Sequence, residues 1–225
     1  MSVLLAATLL LAPALPPPRK GYQVESLKEA APQEVSEKVR GILAETGLRV
    51  LDKQGAPFAD LWLRKSIATV EPKSELNVKL GHVEEGSLVG VIRFHQKASD
   101  FKGNAFPAGA FTMRRGLQPV DGDHQGVSET RDFLLLAPVK VDQGTDAMPT
   151  KEAVKLSVQT AGIKHPTVLW LLQVSEDAKD SAKLPRMVED ETLELWTLEC
   201  EIPEAAKDKK PVRLGIVLVG KAPEH

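Results

Sequence analysis

About eight short runs in which every second residue is apolar, each bounded by Gly, Pro, Asp or other turn formers, restrict this chain to architectures built from half-buried strands. Leu48-Arg49-Val50-Leu51 and Ala59-Asp60-Leu61-Trp62-Leu63 flank Asp52-Lys53-Gln54-Gly55, a turn sequence, so the pair reads as a β-hairpin. Leu88, Gly90, Ile92 and Phe94 alternate with Val89, Val91, Arg93 and His95. Phe111, Met113, Arg115 and Leu117 repeat the pattern beyond a loop ending in Phe106-Pro107-Ala108-Gly109. Phe133 to Ala137 and Val168 to Leu172 are continuous apolar runs, as central buried strands are. Leu193 to Ile202 and Val212 to Val219 complete the set. In the first of these, Leu193 and Leu195 share one face while Trp196, Leu198, Cys200 and Ile202 share the other, so a β-bulge is expected between the two phases.

Helical spacing is scarce. Val35, Val39, Ile42 and Leu43 follow Pro32 at helical intervals, with Gly47 placed as a stop. In Lys151 to Ala161 a strand would use Val154, Leu156 and Val158, whereas a helix would use Val154, Val158 and Ala161. Thr150 as N-cap and Gly162 as terminator favour the helix. The expectation is a mainly β fold, an antiparallel β-sandwich or jelly-roll-like barrel with one or two short helices and no internal repeat.

The 225 residues suffice for one core, and 42% hydrophobic with 27% charged residues is a globular composition. A net charge of -2 supplies no Lys/Arg excess, so nucleic acid is not an expected partner. Val3 to Ala14 is an uncharged apolar stretch with small residues at Ala12 and Ala14, the layout of a secretory h-region. It is shorter than the roughly 20 residues a spanning helix needs, and Pro13 interrupts it. Residues 1–14 are therefore expected to be a signal peptide, 15–32 a Pro-rich spacer and 33–225 a single β-sandwich domain. The mature chain would be periplasmic or secreted, with no membrane span. Cys200 is the only cysteine, so no intramolecular disulfide forms; its place among alternating apolar residues and glutamates marks it as structural.

The densest group of potential ligands is the segment from Asp121 to Asp132. Asp121, Asp123, Gln125, Glu129 and Asp132 supply side-chain oxygens at calcium-loop intervals, and Gly126 sits where such a loop turns. Ser128 at the apolar position, Asp in place of the final Glu, and flanking strands depart from the EF-hand pattern. The segment is open to two readings, a β-flanked calcium site and a solvated Asp-Gly turn. A transition-metal site would draw His124 together with His82, His95 or His165, none of which stand at a recognised ligand spacing. Arg114 and Arg115 beside a strand suit a bidentate grip on a carboxylate or other anion; the bland alternative pairs one with a surface acid such as Asp121. Trp62, Trp170 and Trp196 fall in strands and are expected in the core. Trp62, sharing a face with Asp60 and Arg64, is the one expected at the surface, where it would serve ligand or glycan stacking. No nucleophile elbow, phosphate loop or paired-cysteine motif is present.

From Gly47 to Ala137, through Val50-Leu51-Asp52-Lys53, Leu61-Trp62-Leu63-Arg64-Lys65, Pro107-Ala108-Gly109-Ala110-Phe111-Thr112-Met113-Arg114 and Leu117-Gln118-Pro119-Val120-Asp121-Gly122-Asp123-His124, the sequence resembles uncharacterised exported bacterial β-sandwich proteins. The resemblance implies an exported β domain and carries no catalytic residue with it. The leading expectation is a non-enzymatic binding or structural module for a partner protein, glycan or small ligand, with no cofactor. Its rivals are a metal-dependent envelope enzyme and a calcium-stabilised domain, both using the Asp121 to Asp132 loop.

Overall fold

The computed structural model describes residues 20–72, 74–121, 127–174 and 183–222; the expected signal peptide lies outside them. The elements in chain order are β1 (Gln23–Leu27), α1 (Glu37–Ile42), β2 (Gly47–Leu51), β3 (Pro57–Leu63), β4 (Leu88–Phe94), β5 (Ala98–Ser99), β6 (Ala105–Phe106), β7 (Gly109–Leu117), β8 (Asp132–Pro138), α2 (Thr150–Ala161), β9 (Val168–Gln173), β10 (Arg186–Asp190), β11 (Leu195–Ile202) and β12 (Val212–Val219). Ten strands form one antiparallel sheet in the order β1-β2-β3-β4-β7-β8-β9-β12-β11-β10. It curls until its two edges meet, with β1 beside β10 but outside any ladder between them. The expected mainly β antiparallel architecture is thus realised as a nearly closed barrel whose halves are one continuous sheet.

Alternation decides which side chains fill it. Leu61 and Leu63 of β3, Ile92 and Phe94 of β4, Met113 of β7, Leu134 and Leu136 of β8, and Leu214 and Ile216 of β12 meet in a single inner cluster. Phe58, Phe94, Phe106 and Phe111 contact one another edge-on with ring centroids 5.1 to 5.6 Å apart. Each such pair contributes about 0.5–1.5 kcal/mol beyond burial alone. The hairpin pairs Arg49 with Asp60 and turns at Gly55 (φ 83°). The β-bulge falls between Trp196 and Thr197, where the apolar phase switches.

Four features differ from the sequence expectation. The spacer region contains β1, which pairs with β2 in register from Gln23↔Leu51 to Leu27↔Gly47. Helix α1 is a short segment capped by Ser36, and Gly47 opens β2 instead of ending the helix. A Cβ at Gly47 would stand 2.8 Å from both the Leu61 carbonyl oxygen and Trp62 Nε1, so close packing is what requires glycine there. Helix α2 ends at Gly162 in the left-handed conformation, but Pro149 rather than Thr150 is its N-cap. Its fully buried face is Ala153, Ser157 and Thr160, because it lies on strand edges that need donors. Ser157 Oγ donates to the Thr167 carbonyl (2.9 Å), and Thr160 Oγ1 to that of Leu136 (2.8 Å). Among the described residues no helix is long and apolar enough to cross a membrane.

The C-terminal ends of β1, β3, β7, β9 and β11 and the N-terminal ends of β2, β4, β8, β10 and β12 share one end of the barrel, as antiparallel pairing demands. The connections 28–46, 64–87 and 203–211 lie there. One of them, residues 64–87, crosses this end as a strap: Ile67 N–H donates to the Pro203 carbonyl (2.9 Å), and Ala205 N–H to that of Ile67 (3.0 Å).

Candidate functional site

The residues singled out from sequence are drawn into the scaffold. Arg114 is 1% exposed and grips Asp142 through Nε (2.6 Å) and Nη2 (2.8 Å). Thr112 Oγ1 donates to the same carboxylate, while Arg114 Nη1 and Nη2 also donate to the carbonyls of Gly86, Asp146 and Gly144. The expected bidentate recognition therefore exists, with an internal carboxylate as its target. It binds the loop after β8 to the outer side of β7 and leaves nothing for an external anion. Arg115, equally buried, donates from Nη2 to Asp132 Oδ1 (2.8 Å), correcting the expectation that one arginine would pair with Asp121 and the other be solvated.

Asp132 itself is fully buried, and its Oδ2 accepts the backbone N–H groups of Lys79 (2.7 Å) and Leu80 (3.3 Å). Both oxygens are committed to anchoring the strap, which removes Asp132 from the proposed ligand set. Asp121 and Glu129 are exposed; Asp123 and His124 lie outside the described residues. Among the described residues no group of three or more His, Cys, Asp or Glu side chains could hold a metal ion. His82, His95 and His165 are dispersed. His95 Nε2 is 2.8 Å from Asp60 Oδ2, and His165 Nδ1 is 2.7 Å from the Pro166 carbonyl oxygen.

Trp62 is fully buried, which overturns its expected role as an exposed stacking surface. The face it shares with Asp60 does point away from the barrel interior, but α1 and the segment before it cover that side. Trp62 packs with Leu27, Val39, Leu43 and Leu88, and its Nε1 donates to the Glu29 carbonyl (2.9 Å). Trp170 and Trp196 are buried, as expected for core residues.

What the barrel end does hold is a cavity of about 340 Å³ whose lining includes Thr69, His82, Gln173, Lys209, Lys210 and Arg213. The strap brings Thr69 and His82, β9 ends in Gln173, and the β11–β12 connection brings the two lysines. Among the described residues Glu204 is the only carboxylate in the lining. Its Oε1 accepts both the backbone N–H and the hydroxyl of Thr69 at 3.0 Å, and Lys209 Nζ donates to the same hydroxyl (2.9 Å). Burial opposes charge on Glu204, but hydrogen bonds from Thr69 and Ala206 and the charge of Lys209 outweigh it and hold the carboxyl below its ordinary range. His82 is driven the other way. Burial first, and then the neighbouring Arg115 guanidinium, lower its pKa, so the imidazole is neutral at pH 7 and offers one donor and one acceptor.

Among the described residues of the lining Thr69 supplies the hydroxyl, which donates to Glu204 and accepts from Lys209. Against Glu204 the lining carries, among the described residues, Lys209, Lys210 and Arg213, with Glu201 beside Arg213 at 3.5 Å.

Of these pocket residues only His82 was singled out from sequence, as a possible metal ligand. They come from four separate stretches with no fixed spacing, and only Lys207-Asp208-Lys209-Lys210 followed by Arg213 is a local basic signal. No known protein family matches the chain, and neither a curated protein nor a solved structure is similar to it.

Proposed function

We propose that this chain is an exported, non-enzymatic binding module whose pocket at one barrel end takes a small anionic ligand carrying carboxylate or phosphate groups. The observation that carries the reading is the convergence of Lys209, Lys210 and Arg213, with neutral donors from His82 and Gln173, on a cavity of about 340 Å³. That volume is at the lower end of the range for small-molecule sites, which run from roughly 300 to 1,000 Å³. A rigid barrel is a suitable support, because residues fixed on strand ends and on a hydrogen-bonded strap need little ordering when the ligand arrives. The apolar h-region at residues 3–14 supports export.

A thermal-shift panel of inorganic phosphate, succinate and citrate against the full chain tests the reading. Citrate, with three carboxylates for three cations, should raise the melting temperature most. A neutral polyol of similar size should leave it unchanged. Equal shifts for the anions and the polyol, or none with any of them, would count against an anion site.

A further inference from the structure

The barrel has one seam, and its two ends differ. β1 and β10 are the edges of the ten-stranded sheet and no ladder joins them. At one end the seam is closed by aromatic packing. The Tyr22 and Trp196 rings lie 5.3 Å apart, and Gly21 lets the Trp196 ring approach so closely that a Cβ there would be 2.1 Å from it. At the other end β10 begins at Arg186 opposite Glu199, so among the described residues Cys200, Glu201 and Ile202 of β11 have no ladder partner on that side. A cavity of about 210 Å³ lies there, with walls that include Leu48, Leu61, Leu63, Cys200 and Pro185; Leu61, Leu63 and Cys200 are themselves buried, so the cavity is reached past its rim.

We infer that this open end of the seam is a second binding site, for the aliphatic chain of a medium-chain carboxylate. The inference stands apart from the anion pocket described above, which shares no lining residue with this cavity. The chemistry of the walls fixes the first half of the ligand. Leucine, proline and a thiol pushed up to about 12 by burial, hence neutral, present no charge and little hydrogen-bonding capacity to an occupant. Unfilled apolar space of this kind forfeits dispersion contacts that a ligand restores. An apolar cavity of about 150 Å³ takes benzene, so this one suits a chain of about six to eight carbons.

The rim fixes the second half. Arg64, Lys65 and Glu201 are its charged residues. Glu201 is drawn to Arg213 Nε at 3.5 Å, and Arg64 is held by the carbonyls of Ser66 and Thr145. Lys65 is exposed, tied only by a 3.2 Å bond from Nζ to the Gly41 carbonyl, and can swing over the opening. A chain inserted between Leu48 and Cys200 would leave its carboxylate at this ammonium.

Isothermal titration of the full chain with octanoate, octanol and acetate tests the site. Octanoate should bind, octanol several-fold more weakly, and acetate not at all. Cys200→Phe fills the cavity and should weaken octanoate at least tenfold. Cys200→Ala enlarges it and should shift preference toward decanoate, which keeps the test independent of whether the bulkier variant folds. Lys65→Gln should bring octanoate down to the level of octanol. Lys210→Ala should leave octanoate untouched while weakening citrate, which separates this site from the anion pocket. Absence of octanoate binding, an unchanged affinity in both Cys200 variants, or loss of octanoate binding in Lys210→Ala would overturn the inference.

Discussion

Arg93 Nη2 lies 2.7 Å from Asp60 Oδ2 on the outer face of two paired strands, and the carboxylate between them is fully buried. Arg49 from the opposite neighbour donates to the same group at 2.8 and 3.1 Å, and His95 completes the ring at 2.8 Å. β2, β3 and β4 are thus stapled side to side by a single acid, under a Trp62 ring on which the Arg93 guanidinium stacks at 5.6 Å.

Replacing that acid leaves two guanidiniums without their shared partner. Burial alone would raise the Asp60 pKa, but the bonds from Arg49, Arg93 and His95 prevail and lower it. A depressed folded-state pKa means that the stabilisation is present above the unfolded value near 4 and is lost as pH falls through the lower folded value. Asp60→Asn should therefore cost about 2–3 kcal/mol at pH 7, less than for a fully enclosed pair because both arginines are partly exposed. Urea melts of both proteins should converge as the pH is lowered below the unfolded value near 4; a difference independent of pH would contradict this account.

The Arg114–Asp142 pair is enclosed on both sides and should behave differently. Removing either partner strands a charge in the interior, at a cost of about 3–5 kcal/mol, whereas replacing both with apolar residues of similar volume should recover much of it. A double-mutant cycle with Arg114→Met and Asp142→Leu, read by denaturant unfolding, measures the coupling. Additive effects would show that the two groups do not act as a unit.

How far this architecture was legible in the sequence is clear from particular residues. Period-two alternation located the long strands, and the phase change around Trp196 located the bulge, because both follow from which face is buried. β1 and β10 escaped notice because the edge strands Gln23–Leu27 and Arg186–Asp190 each carry polar residues at three of five positions and lack a regular apolar alternation. Asp60 and Trp62 were read as surface residues for a sound reason: alternation does turn them away from the barrel interior. The layer that buries them, α1 with residues 28–46, is a tertiary fact. The pocket was invisible for the same reason, since Thr69, His82, Gln173 and Lys209 meet only once the strap crosses the barrel end.

Asp132 separates the calcium reading of its loop from a structural one. With both its oxygens engaged by Arg115, Lys79 and Leu80, Asp132→Asn should lower stability by about 2–4 kcal/mol, equally in EDTA and in calcium. Thermal melts in the two buffers provide the check. A loss of stability seen only with calcium present would restore this residue as a metal ligand.

Cys200 should be inert in the native state. Burial raises its pKa to about 12, with the Glu201 and Glu199 charges adding to the effect, so at pH 8 almost no thiolate exists to attack a disulfide reagent. Labelling with an aromatic disulfide reagent should be slow without denaturant and immediate in urea. Rapid native labelling would mean that the β11 end is far more open than described.

The central claim, that the barrel-end cavity binds small anions, is tested most directly by calorimetric titration of citrate into the full chain and into Lys210→Ala/Arg213→Ala. Binding by the native chain that weakens with added salt and falls at least tenfold in the double variant, with unfolding curves otherwise matched, is the predicted result. Citrate binding that survives loss of both cations, or that never occurs, would contradict the claim.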